Sequence, residues 1–104
     1  MRNKNYVDII LPSYNSFKYV DTTIKSIIKQ TFKNWRLIII DSSSDIKTLK
    51  ILKKFKKNKK IKIFSHKKKL TAGQSRNLAL KKIKAKYVAF IDSDDVWMPE
   101  KLEK

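Results

Sequence analysis

No cysteine occurs in the 104 residues, which removes disulfide scaffolds and thiolate metal centres from consideration. Histidine appears once, as His66, too few to anchor a histidine-rich metal site. Glycine also appears once, at Gly73, so neither a P-loop nor a dinucleotide G-x-G-x-x-G turn can be built. No apolar run reaches the ~18 residues of a membrane span, and the N-terminus lacks a signal-peptide pattern. A cytoplasmic location is the plain expectation. Acids are scarce as well: nine Asp and Glu stand against 26 Lys and Arg, a formal charge of +17.

What is present suffices for one domain over residues 1–104, since 41% of the chain is hydrophobic. Lys47 to Lys69 holds twelve lysines and no acid. Such a field attracts polyanions, whether nucleic acid, phospholipid headgroups or phosphorylated substrates. It is equally what a solvated helix face looks like. Against this background "YVAFIDSDDVW" gathers Asp92, Asp94 and Asp95 at the end of an apolar run. Repulsion makes that costly unless a cation, a hydrogen-bonding ligand or a shared proton offsets it.

Periodicity orders the chain. "VDIIL" (Val7–Leu11) reads as a strand stopped by Pro12. Phe17, Val20, Ile24, Ile27 and Ile28 then share one helical face. "RLIII" (Arg36–Ile40) is a second strand, β-branched enough to be covered on both sides. "DSSSD" supplies turn and N-cap residues. Ile46, Leu49, Leu52 and Phe55 mark a second helix facing inward, with lysines outside. Ile61–Phe64 is a third, weaker strand. "TAGQSRNLALKKI" is a third helix with Leu78, Ala79 and Ile83 inward, and Tyr87–Ile91 a fourth strand; Pro99 is placed at the first turn of a last helix. Alternating strands and helices predict an α/β fold: a mostly parallel open sheet of about four strands with helices on both faces. Strand one is expected at the centre, between strands two and four. Ligands bind such sheets beyond the carboxyl ends of the strands, where Pro12–Asn15, Asp41–Asp45 and Asp92–Asp95 all fall.

Asp92 and Asp94, one residue apart, point the same way if the segment is extended, and two hard oxygen ligands suit Mg²⁺ or Mn²⁺ with phosphates completing the shell. The alternative makes these acids caps and turn residues. Tyr14 offers a stacking face for a base, or a ring packed over a helix end. Arg76, in "SRN", suits a bidentate oxyanion contact, or a surface role.

The stretch from "VDIILPSYN" through "KQTFKNWRLIIIDSSSD", "SRN" and "YVAFIDSDDVWMPEKL" resembles the N-terminal half of family 2 glycosyltransferases, of Rossmann-like GT-A fold, from Val7 to about Leu102. The order and spacing of L-P-S-Y-N, Q-T-F, R-N and F-I-D-S-D-D carry the likeness. The resemblance implies an inverting transfer of sugar from a nucleoside-diphosphate sugar, UDP-linked, to a saccharide or lipid-linked acceptor in cell-surface polysaccharide synthesis. It implies that Tyr14 packs on the base, that Pro12, Ser13, Asp41, Ser42 and Ser93 lie by the nucleotide, and that Arg76 lines the donor cleft. Asp92 and Asp94 match the D-x-D acids that approach the ribose and hold Mn²⁺ or Mg²⁺. Ser42 departs from the family, which commonly has an acid there; a serine hydroxyl is a weaker acceptor for a base N–H.

The likeness further implies a truncated domain without the acceptor half or the catalytic base, inactive alone, with self-association through its uncovered face. Peripheral contact with an anionic membrane is compatible with it, and specific nucleic-acid binding is not expected. The rival readings are a degenerate interaction module and a non-specific polyanion-binding domain.

Overall fold

A computed structural model describes residues 3–103. Its elements run β1 (Asn3–Ser13), α1 (Val20–Ile28), β2 (Trp35–Asp41), α2 (Ile46–Phe55), β3 (Ile61–Ser65), α3 (Ala72–Leu80), β4 (Ala85–Phe90) and a 3₁₀ turn (Lys101–Glu103). The four strands form one parallel sheet in the order β3-β2-β1-β4. β1 is central between β2 and β4, as the alternation predicts. Among the described residues no helix is long and apolar enough to cross a membrane.

The period of two along the strands sorts the core into two layers. Ile9, Leu11, Leu37, Ile39 and Ile61 face α1 and α2, meeting Val20, Ile24, Ile27 and Leu52. Ile10, Ile38 and Ile40 face the other way, against Ala79 with Leu78 and Ile83. Helices thus cover both faces. α3 is started by a capping box, in which Thr71 Oγ1 accepts from Gln74 N and Gln74 Oε1 accepts from Thr71 N.

Three expectations need correction. Pro12 does not stop β1; it lies within the strand, opposite Ile40. Even-numbered residues of β1 turn their backbone toward β4, whose pairing ends at Ile10, so the missing N–H of Pro12 forfeits no ladder bond. The inward face of α2 is also not the one the spacing suggests. Ile46 and Leu49 are 68% and 41% exposed, while Thr48 is fully buried beside Leu52. Thr48 can go inside because its hydroxyl donates to the cap residue Asp45, at 2.9 Å. The last helix reduces to Lys101–Glu103, two residues beyond Pro99, whose carbonyl accepts from Thr31 N.

At the amino end of the sheet Asp8, 1% exposed, is opposite Arg36 across β1 and β2. The guanidinium grips it with two bonds of 3.1 Å, and the backbone N–H groups of Lys84 and Ala85 complete its shell. Arg36 also donates to the Lys82 carbonyl at 2.8 Å. One buried carboxylate therefore fixes where β4 begins.

Candidate nucleotide-binding cleft

At the carboxyl edge, register places Ser13 beside Asp41, and Ile91 N bonds to the Ile10 carbonyl. The ends of β1, β2 and β4 are thereby brought to one rim. A cleft of about 230 Å³ opens there, lined by Pro12, Ser13, Tyr14, Leu70, Ser75, Asp92 and Ser93. Five of these seven are residues singled out in the sequence. Leu70 and Ser75 were not; Ser75 adjoins the R-N pair, which was the available signal.

The loops behind the cleft are held by side chains rather than by glycine turns. Asn15 adopts a left-handed backbone, φ 45°, which asparagine tolerates better than most residues. Its Oδ1 accepts from Ser44 N and Asp45 N at 2.9 and 3.1 Å, and its own N–H donates to Ser43 Oγ. The loop after β1 is thus tied to the loop after β2. Tyr14, 40% exposed, has the Lys69 ammonium 4.6 Å from its ring centre.

Asp41 and Ser42 are buried, at 1% and 3% exposure, and do not line this cleft. Asp41 Oδ1 accepts from Ser43 Oγ, and its carbonyl accepts from His66 N. Ser42 N donates to Ser13 O, and Ser42 Oγ accepts from Leu70 N at 3.2 Å. The serine hydroxyl is therefore used by the protein's own backbone, and it fastens the Lys69–Leu70 strap beside the cleft. Arg76 is likewise off the lining: its guanidinium stacks 5.3 Å from the Phe90 ring centre, two residues before Asp92.

The acids form a turn, not an extended strand. Asp95 N donates to Asp92 O at 3.0 Å, and Asp92 N donates to Asp95 Oδ2 at 3.3 Å. This closure brings one carboxylate oxygen from each of Asp92, Asp94 and Asp95 within 4.8 Å of the others. Three exposed hard oxygens in so small a space fit a Mg²⁺ or Mn²⁺ ion. Helix α1 holds both the turn and the segment after it. Thr23 Oγ1 donates to Ser93 O at 2.8 Å, and Ser26 Oγ accepts from Trp97 N at 3.1 Å. Gln30, fully buried, donates to Met98 O at 2.7 Å and accepts from Leu102 N at 3.0 Å. Thr23, Ser26 and Gln30 recur at helical spacing, a polar stripe in the sequence that points to this work.

One open parallel sheet in this order, with helices on both faces, is the sheet of a GT-A fold. The model of glycosyl transferase family 2 matches residues 8–104, and the chain belongs to that family. Two curated relatives of Escherichia coli, the UDP-Glc:alpha-D-GlcNAc-diphosphoundecaprenol beta-1,3-glucosyltransferases WfgD and WfaP, are 40% and 42% identical to it, over 93% and 92% of this chain. The chain spans 38% of the length of each. S. aureus TarS 1-349, solved in complex with UDP-GlcNAc, superposes with a TM-score of 0.86 at 32% identity, covering 94% of this chain and 29% of that one.

Proposed function

We propose that this chain holds the donor for an inverting sugar transfer from a UDP-sugar to a saccharide or lipid-linked acceptor, in the synthesis of cell-surface polysaccharide. The carrying observation is the single cleft that unites Ser13, Tyr14, Asp92 and Ser93 at the carboxyl rim. The names of WfgD and WfaP, and the UDP-GlcNAc in TarS, support the choice of donor and of a lipid-linked acceptor.

In this reading Tyr14 packs on the base, displacing the Lys69 ammonium from its ring. Pro12 and Ser13 bound the ribose side, and Asp92 with Ser93 faces the ribose and diphosphate. Arg76, propped on Phe90, reaches toward the phosphates. Asp41 and Ser42 act from behind, holding Ser43 and Leu70. Asp92 and Asp94 would hold Mg²⁺ or Mn²⁺, which when bound offsets charge on the departing nucleoside diphosphate. Calorimetric titration of UDP, with and without Mn²⁺, tests the reading. Binding should strengthen with Mn²⁺ and fall about fivefold or more in Tyr14→Ala, since stacking on one base is worth about 1–3 kcal/mol. Binding indifferent to both Mn²⁺ and Tyr14 would defeat it.

A further inference from the structure

The geometry points to a docking surface for an anionic lipid bilayer on the outer face of α2. Four of the lysines on and just after this helix, Lys50, Lys53, Lys56 and Lys57, are exposed, and none is in a salt bridge among the described residues. Lys47 and Lys54 are engaged sideways, over the Phe17 ring and with Asp21. Ile46 and Leu49 project from the first turn of the same helix, 68% and 41% exposed, although buried positions were open to an aliphatic residue and one is taken by Thr48.

Helical spacing sets Lys50 beside Ile46 and Lys53 beside Leu49, each four positions on. Two aliphatic side chains with free ammonium groups on flexible stems along the turns that follow match the boundary between acyl chains and anionic headgroups. Beside them a groove of about 300 Å³ runs between α2 and the β3 edge. Leu49, Leu52 and Ile63 form its apolar wall, and Lys53 and Lys56 offer two ammonium groups to a lipid phosphate against one carboxylate, Asp41, whose Oδ1 is already taken by Ser43. Duplex nucleic acid would use the lysines and gain nothing from Ile46 and Leu49.

The orientation is set by the fold. Ile46 comes directly after Asp45, whose N–H is bound by Asn15, so the projecting residues stand at the same rim as the Tyr14 cleft. A bilayer seated on α2 would lie beside that cleft. The docking itself does not depend on what the cleft binds.

Sedimentation with vesicles tests the surface. The chain is mixed with phosphatidylcholine vesicles, with or without about a third phosphatidylglycerol, and compared with Ile46→Ser/Leu49→Ser and Lys50→Glu/Lys53→Glu. Circular dichroism confirms that each variant is folded. Binding should require phosphatidylglycerol and fall at least about tenfold in either variant, because both apolar insertion and charge contribute. Salt should weaken the parent without abolishing its binding. No association with the anionic vesicles overturns the proposal. So does binding unchanged in Ile46→Ser/Leu49→Ser, or full displacement from the vesicles by duplex DNA at equal phosphate concentration.

Discussion

At Asp92 the backbone N–H is taken by the Asp95 carboxylate, so Asp95 is partly spent on closing the turn while the Asp94 side chain stays exposed. Asp94→Ala should therefore remove most Mn²⁺-dependent binding of UDP, a loss of about tenfold or more, and Asp95→Ala should lose less; calorimetry with both variants checks the order. The contrast rests on the turn, since an extended segment would have set Asp95 apart altogether. Asp8 makes a prediction of another kind. Its removal leaves Arg36 without its charge partner and two N–H groups unpaired, and breaking a buried pair costs about 3–5 kcal/mol. Asp8→Ala should lower the denaturation midpoint accordingly, with a far smaller effect from Lys25→Ala, whose pair with Asp21 lies at the surface.

Among the elements, α1 has two faces with two duties: Val20, Ile24 and Ile27 fill the core, while Thr23 and Ser26, with Gln30 just past its end, hold the segment from Ser93 to Leu102. Gln30→Leu keeps the volume near but leaves the Met98 carbonyl and Leu102 N–H without their partner. A loss of about 1–3 kcal/mol is expected in urea denaturation. The apolar face of α1 was legible because its spacing admits one helical reading. That of α2 was legible only in part: Leu52 and Phe55 do pack inward, but Ile46 and Leu49 recur at the same spacing and face out, and only the bond from Thr48 to Asp45 shows why a polar residue is buried in that turn. The strands, and the central place of the first between the second and fourth, could be read in advance; the place of β3 at the edge beside β2 was not. Pairings such as Asp8 with Arg36, or Gln30 with Leu102, could not, because they depend on register between segments far apart in the chain. The rim position of Tyr14 and Asp92 came from the rule for open sheets; the inward turn of Ser42 did not, because its partner is a backbone N–H with no signature of its own.

For the whole molecule the charge of +17 predicts that duplex DNA binds weakly, without sequence preference, and that affinity falls steeply with salt. Fluorescence anisotropy with unrelated duplexes at rising salt checks this; a sequence-selective complex that survives physiological salt would contradict it. Beyond β4 the chain has little regular structure, yet it is not loosely attached. Trp97 N and Leu102 N both lie outside strands and α-helices, and both end on side chains of α1 and its C-terminal turn, a buried serine and a fully buried glutamine. Their release to solvent requires α1 to move. These two amides should therefore exchange with deuterium on the timescale of the α1 backbone rather than that of a surface loop. The segment that follows the acidic turn would then open only when the core opens, which makes the stability of a hydrophobic helix the clock for the chain beside the site's most polar residues.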